Sequence, residues 1–352
     1  MTDDRPHSLS QSVQKLRLGG IKFSEAQVRL VLAPAGRDPD PLDLSRILAG
    51  FAKYHINLQQ ISVDSAAGTV ELYLAEQDYA RQRILIEAEL GPLDLDATVV
   101  APVGTLTLFP HGSRMEVLVK VVGLTGDPDL RIYALGSSLS ALCLSTDLDR
   151  LDRTAAALLE NFSLPEGHSP FRYEPSELDR QVTGGAGRIV ETIARYSESV
   201  IKIYGSKLQT GLLRATVCFP RDYLDRVLEG LSQSGLDRFE MMGAAHADSG
   251  RMLVHLMVDP DRGKGAIASL RERFGDAREI DVVEQHDMEL LFFHGPHFQD
   301  RYGVMCTAAA ALAKASIRFT CAACAGTGIH LVAERGVGGK MLEALGDVFV
   351  VP

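Results

Sequence analysis

The chain has 352 residues, enough for two or more domains that each bury a hydrophobic core. Its formal net charge of −10 argues against nucleic acid or an anionic membrane as the main partner, because phosphate groups bind basic surfaces. No run of about 18 apolar residues predicts a membrane span, and the polar start lacks the apolar stretch of a signal peptide. Five cysteines, an odd number, favour free thiols in a reducing compartment, so we expect a cytoplasmic protein.

The N-terminal part of the chain predicts two helices between strands. Residues 28–32 predict a strand, and residues 56–63 and 69–74 alternate like half-buried strands. The first helix is predicted from an apolar stripe spaced i, i+3, i+4 and i+7, formed by Leu44, Ile47, Leu48 and Phe51. A second helix over residues 79–90 and a strand near 97–100 complete the order β-α-β-β-α-β, the ferredoxin-like arrangement.

The same order then begins again. Residues 105–109 predict a strand, 114–122 a helix, and 130–135 and 141–144 two further strands. A helical stripe runs from residue 151 to residue 162. A proline-containing stretch at 165–175 marks a domain boundary, and residues 188–198 predict a connecting helix.

The second half of the chain repeats the first. Pro296-His297 follows Pro110-His111 at a spacing of 296 − 110 = 186 residues. A strand at 212–217 is followed by a second stripe with the same spacing, formed by Leu224, Val227, Leu228 and Leu231. A strand at 252–258, a helix at 266–274 and a strand from residue 289 continue the copy. We therefore expect an α+β fold of four ferredoxin-like units in two tandem pairs.

The repeat also predicts the domain organisation. We expect an N-terminal extension at 1–20, units at 21–103 and 104–175, a connecting segment at 176–211, and units at 212–286 and 287–352. A unit of about 80 residues or fewer has a marginal core of its own, so we expect the units to pair with one another.

Four such units resemble ACT domains, and their tandem pairing is similar to the regulatory region of aspartate kinases. The resemblance depends most on residues 105–111 with 136–142 and on residues 294–303 with 326–329. An aspartate kinase has a large kinase domain ahead of these units, whereas here residues 1–20 precede the first unit and hold no Gly-rich phosphate loop with a following lysine. The resemblance implies ACT-type units that bind a small effector, usually an amino acid, at interfaces between units, with no kinase activity and no cofactor.

The resemblance places the effector beside the loop between a unit's first strand and first helix, where free N–H groups suit a carboxylate. In the fourth unit the candidate binding residues of this loop and of the turn facing it are His297, Asp300, Arg301, Tyr302, Gly303, Thr327 and Gly328. Gly303 permits close backbone approach, Asp300 can accept from an ammonium group, and Arg301 can bind a carboxylate with two N–H groups. The alternative is that Asp300 caps the helix and Arg301 is a solvated surface charge.

The second unit has a similar loop. Its candidate binding residues, with those of the facing turn, are His111, Ser113, Arg114, Ser138 and Ser140. Ser113 is predicted to cap the helix, and Arg114 corresponds to Arg301. Small polar residues also form tight turns between strands, so a structural role for the two facing serines is an equal alternative. Because the later copy has Asp-Arg-Tyr-Gly before its helix, we expect the fourth unit to bind more tightly than the second.

Cys321 and Cys324 form a C-x-x-C pair, a spacing that can bind metal or undergo redox cycling. A zinc site with His294 and His297 is one interpretation. Against it, residues three apart on a strand point to opposite faces. We expect two cysteines that face the core and no metal site, and the spacing of the other histidines predicts no catalytic triad.

The leading functional hypothesis is a non-enzymatic amino-acid sensor, with an effector between paired units. The first alternative is a stand-alone regulatory subunit of a separately encoded biosynthetic enzyme. The second is a small metal-assisted or transferase activity at His297 and Asp300. Because ACT units join their sheets side by side, exposed edge strands predict a homodimer. Neither nucleic acid nor a membrane is an expected partner.

Overall fold

The structure is a computed structural model, and it describes residues 15–34, 41–64, 68–93, 95–127, 129–138, 141–166, 201–246, 251–274, 279–295, 302–325 and 328–351. These residues form a mixed α/β fold. The helices are α1 (Pro41–Lys53), α2 (Glu76–Leu90), α3 (Met115–Gly123), α4 (Leu151–Asn161), α5 (Leu224–Gln233), α6 (Pro260–Phe274), α7 (Val304–Lys314) and α8 (Gly338–Gly346). The strands are β1 (Leu16–Arg17), β2 (Gly20–Phe23), β3 (Gln27–Pro34), β4 (Leu58–Asp64), β5 (Thr69–Ala75), β6 (Leu95–Phe109), β7 (Ile132–Ser137), β8 (Leu142–Asp147), β9 (Phe162–Ser163), β10 (Ile201–Lys202), β11 (Gly205–Pro220), β12 (Met241–His246), β13 (Arg251–Val258), β14 (Asp281–His294), β15 (Cys321–Ala325), β16 (Gly328–Ala333) and β17 (Phe349–Val350).

Twelve of the strands form a closed, antiparallel ring. Its order is β6-β3-β5-β4-β15-β16-β14-β11-β13-β12-β7-β8, and β8 pairs with β6 to close it. Strand β2 adds to the second half of β6, while β1–β9 and β10–β17 are short parallel pairs outside the ring. The β4–β15 and β7–β12 pairings satisfy backbone hydrogen-bonding groups that these four strands would otherwise expose at sheet edges.

The ring has two layers, because β6, β11 and β14 each pass from one layer to the other. The first layer consists of the first half of β6, then β3, β5, β4, β15, β16, the second half of β14 and the start of β11. The second layer consists of the first half of β14, the rest of β11, then β13, β12, β7, β8, the second half of β6 and β2. Helices α1, α2, α7 and α8 cover the first layer, and α3 to α6 cover the second. The outer faces of the two layers therefore have separate hydrophobic cores, with helices on both sides of the ring.

The ring joins distant parts of the chain. We call residues 27–102, 103–163, 212–288 and 289–350 the first, second, third and fourth quarters. Strand β4 pairs with β15, which joins the first quarter to the fourth, and β7 pairs with β12, which joins the second quarter to the third. Strands β4, β15, β7 and β12 are thus paired within one chain and are not open to a second one. The predicted homodimer remains a prediction.

The local elements follow the sequence patterns, with clear differences at two strands. The strand predicted from residue 289 is the second half of β14, which begins at Asp281. Residues 97–100 and 105–109 were predicted as separate strands, but they belong to the single strand β6. Its first half pairs with β3 and its second half with β8, so the strand changes layers without ending. Helix α4 ends at Asn161, and Phe162 is already in β9. The predicted connecting helix at 188–198 lies outside the described residues. Among the described helices, none has the length and hydropathy needed to cross a membrane.

Polar side chains link the two layers. Arg29 donates two hydrogen bonds to Glu71, at 3.1 Å from Nε and 2.8 Å from Nη2, and the Tyr73 hydroxyl donates to the same carboxylate at 3.1 Å. Burial and the nearby Glu71 charge raise the pKa of Tyr73 above its usual value. From the second layer, the Tyr133 ring lies 5.4 Å from the Arg29 guanidinium, and its hydroxyl donates to Asp147 at 2.5 Å. This polar cluster shares the inter-layer space with an apolar cluster that includes Leu212, Met257, Met288 and Leu290.

Candidate functional site

The loop at residues 110–114 is held by a buried histidine. The Ser113 N–H donates to His111 Nδ1 at 2.8 Å, so that nitrogen has no proton and Nε2–H donates to the Ser138 carbonyl oxygen at 2.9 Å. Burial lowers the pKa of His111, which favours this neutral form. The ring also stacks on Phe239 of the third quarter, with centroids 5.3 Å apart. His111, one of the predicted binding residues, therefore lies buried beneath the loop and holds it in position.

Backbone hydrogen bonds fasten this loop to the third quarter. The Met115 N–H at the start of α3 donates to the Asp237 carbonyl oxygen at 2.8 Å, and the Phe239 N–H donates to the Ser113 carbonyl oxygen at 3.0 Å. Between them, Arg114 and Arg238 form an isolated antiparallel bridge. One N–H at the helix start, expected to be open for a ligand carboxylate, is thus bonded to protein.

The predicted cap of this helix is wrong. The N-cap residue of α3 is Arg114, and no side chain makes a capping hydrogen bond there. Ser113 has a φ of +54° and uses its backbone N–H and carbonyl oxygen for the contacts with His111 and Phe239. A residue in the left-handed region is turned away from the extended conformation that a capping serine needs.

A cleft of about 490 Å³ opens where this loop meets the third quarter. Its lining residues are Arg114, Met115, Glu116, Val119, Ser232, Gly235, Leu236, Asp237 and Arg238. Each quarter supplies one arginine and one acid. Asp237 also forms an ion pair with Arg262, and the Arg114 guanidinium donates to the Arg17 carbonyl oxygen at 3.3 Å. The cleft can therefore offer guanidinium donors and carboxylate acceptors from two sides.

The fourth-quarter loop is only partly described. Tyr302 stacks on His55 of the first quarter, with centroids 4.5 Å apart and the rings 17° from parallel. Gly303 has a φ of +83° and is the N-cap residue of α7, with Ala52 3.7 Å from where its Cβ would be. The neighbouring cavity between α1 and α7 measures about 20 Å³ and is lined mainly by apolar side chains. Here the two quarters pack against each other.

The facing turns have mainly structural contacts. The Ser138 hydroxyl is within hydrogen-bonding distance of both the N–H and the carbonyl oxygen of Ala141, across the turn between β7 and β8. A Cβ on Gly328 would lie 2.8 Å from the Phe292 ring, so that position is already filled. The remaining candidates, His297, Asp300, Arg301, Thr327 and Ser140, lie outside the described residues.

The cysteine pair has the geometry expected of core residues. Cys321 packs with Met288 and Leu290 between the two layers, whereas Cys324 packs on the helix side of the first layer. Burial raises the pKa of the Cys324 thiol to about 12, which keeps it protonated near neutral pH. In the part of the chain that the structure describes, no three His, Cys, Asp or Glu side chains form a group that could hold a metal ion.

Sequence reasoning missed Glu116, Asp237 and Arg238. They lie at the start of α3 and after α5, in quarters far apart in the sequence. They become neighbours because β7 pairs with β12. The local sequence contained no signal for that pairing, so only the loop of the second quarter was identified.

Comparison with known proteins gives a fold but no family assignment. No protein-family model matches the sequence, and no curated protein matches it. The structure of aspartate kinase from Synechocystis superposes with a TM-score of 0.74 at 15% identity, covering 94% of this chain and 56% of that one. The regulatory subunit of aspartate kinase from Thermus thermophilus gives a TM-score of 0.36 at 13% identity, covering 42% of this chain and 99% of that one. The described fold therefore resembles a little over half of an aspartate kinase chain.

Proposed function

We propose that this chain is a regulatory protein of four ferredoxin-like, ACT-type units that binds a small effector, an amino acid, between units. The observation that carries the proposal is the cleft between the loop at 110–114 and the turn at 235–238, which has an arginine from each side. The fold likeness to an aspartate kinase is consistent with a regulatory role.

The chemistry of the cleft suits a zwitterion. Arg114 and Arg238, one from each quarter, can both donate to a carboxylate, and guanidinium groups bind carboxylates well through paired N–H donors. Glu116 can accept from an ammonium group on the same ligand. The volume of about 490 Å³ lies within the roughly 300–1,000 Å³ of typical small-molecule sites.

Effector binding here would act on the joint between two quarters. The walls of the cleft belong to the second and third quarters, which share the β7–β12 pairing. A ligand that contacts both walls stabilises one relative position of the quarters over others. Regulation follows if the effector binds two arrangements with different affinity, because only the difference shifts their populations.

A thermal-shift screen against the twenty amino acids tests the proposal. An effector at about 100 times its Kd stabilises the folded protein by about 2.7 kcal/mol, which gives a clear rise in Tm. Arg114→Ala and Arg238→Ala should each reduce that rise. Arg81→Ala, which removes an exposed arginine from α2, should leave it unchanged. If no amino acid raises Tm, or if the three variants respond alike, the proposed site is wrong.

The same screen separates the two predicted loops. Arg301→Ala should leave the Tm rise intact if the effector binds beside Arg114. A loss with Arg301→Ala alone would place binding in the fourth quarter, as the sequence analysis first expected. The partner that reads the signal, a biosynthetic enzyme in the leading alternative, is tested by co-purification with and without the effector.

A further inference from the structure

Four strand edges stay open at the ends of the two layers. They belong to β2, to the first half of β6 (residues 95–102), to the start of β11 (residues 205–209) and to the first half of β14 (residues 281–287). Within the described ranges, each of these segments pairs with a strand on one side only. An open edge presents unpaired N–H and C=O groups, and proteins commonly protect it with short length or charge.

Three of the four edges have such protection. Strand β2 has four residues and an exposed Lys22, and the start of β11 has an exposed Lys207. The β14 edge has acidic residues at both ends, Asp281 and Asp287, and Glu284 in its middle forms an ion pair with Arg271 at 2.5 Å. Pairing with another strand would bury or crowd these charges.

The β6 edge lacks this protection. Among residues 95–102, Asp96 alone is charged, and six of the eight residues are exposed. The two repeats can be compared at corresponding positions. Val99 of β6 pairs with Leu30 of β3, and Glu284 of β14 pairs with Ala215 of β11. One copy thus has an exposed valine, with 46% of its surface accessible, where the other has a paired glutamate.

The helix beside the β6 edge is also more apolar on its exposed surface than the corresponding helix of the third quarter. Helix α2 packs on β3, β5 and β6, and it exposes Ile84 at 75% and Leu85 at 41%. Counted from the start of each helix, the corresponding residues of α6 are Ala268 and Ser269. Both the edge and its neighbouring helix are therefore more apolar in the first quarter than in the third.

We propose that a second copy of this chain pairs with the β6 edge, strand 95–102 against strand 95–102, about a two-fold axis. A two-fold axis makes a strand antiparallel to itself, which matches every pairing in the ring. Residues directly opposite each other in an antiparallel pair point to the same face, so a two-fold axis must place a residue opposite itself. An axis at Val99 places Asp96 opposite Pro102, so no like charges meet. Pro102 has no N–H and ends the ladder. Since each copy has a net charge of −10, a nearly uncharged edge is where two copies approach with little repulsion.

Sedimentation velocity and light scattering of the full chain test this dimer. The wild type should have a mass of twice 38.2 kDa, and Val99→Lys should reduce it to 38.2 kDa. Val283→Lys is the matched control, because Val283 is an exposed valine, 54% accessible, on the protected β14 edge. The control should stay dimeric. A wild type that is monomeric across the micromolar range, or equal dissociation by both variants, would overturn the proposal.

Hydrogen exchange adds a readout that does not depend on a variant. The outward amides of residues 95–102 should exchange slowly at high protein concentration and faster on dilution, as the dimer dissociates. Slow exchange that is independent of concentration in a monomeric sample would show that another part of the same chain covers the edge, and would also overturn the proposal. Neither outcome bears on effector binding at Arg114, so the two proposals fail separately.

Discussion

Replacing Glu71 by alanine tests the buried ion pair between β3 and β5. The change removes both hydrogen bonds from Arg29 and the one from Tyr73, and it leaves the guanidinium beside the Tyr133 ring without its carboxylate. The side chains of the pair are only 11% and 9% exposed, so water compensates little. Breaking a buried pair on one side costs about 3–5 kcal/mol, and we expect Glu71→Ala to fall in that range.

Denaturation in urea, followed by circular dichroism, measures this cost as a shift of the midpoint at unchanged slope. Asp129→Ala is the surface control, because Asp129 pairs with Arg153 while both side chains are more than half exposed. That control should cost about 0–1 kcal/mol. The double variant Arg29→Met, Glu71→Leu should cost less than Glu71→Ala alone, since it leaves no unpaired charge. A Glu71→Ala cost equal to that of the control, or a double variant worse than the single one, would refute the reasoning.

Two further predictions concern Gly338, the first residue of α8, and His330, a buried residue of β16. Gly338→Ala should destabilise the protein by about 1–3 kcal/mol in the same urea assay, because the new Cβ would lie 2.5 Å from Leu208 and 2.7 Å from the Glu289 carboxylate. The control is Gly339→Ala, whose Cβ would have nothing within 4 Å and which should be neutral or slightly stabilising. Burial lowers the pKa of His330 from 6.5 to about 4. Between these two pH values His330 is protonated in the unfolded chain and neutral in the folded protein, so stability should fall as the pH drops from about 6.5 to about 4. His330→Phe should flatten that part of the stability–pH curve, and an unchanged slope would contradict the assignment.

The local elements could be predicted because their signals are local. The helical stripes Leu44–Phe51 and Leu224–Leu231 have every apolar member buried in α1 and α5, since one face of each helix packs on its layer. Strand β6 shows where such signals end. Pro102 and Gly104 resemble a break between two strands, but the backbone keeps its pairing on one side or the other as it crosses between layers.

The ring closure and the cleft could not be predicted in this way. Which strand edges pair depends on the combined shape of the four quarters. Neither β4 nor β15 contains a sequence signal that identifies the strand with which it pairs. The cleft inherits that dependence, because Arg238 reaches Arg114 only after β7 and β12 pair. The predicted binding residues of the fourth quarter remain predictions, with Tyr302, Gly303 and Gly328 in packing contacts and the others outside the described residues.

The order of strands in the closed ring means that some strands are synthesised long before the strands with which they pair. Strand β7 is complete at Ser137, but its partner β12 begins at Met241, and β4 waits from Asp64 until β15 begins at Cys321. At about 5–20 residues per second, the wait of β4 alone is on the order of ten seconds or more. During synthesis the first half of the chain therefore emerges with two uncapped sheet edges, at the stage when an unpaired strand is most exposed to aggregation or to chaperone capture.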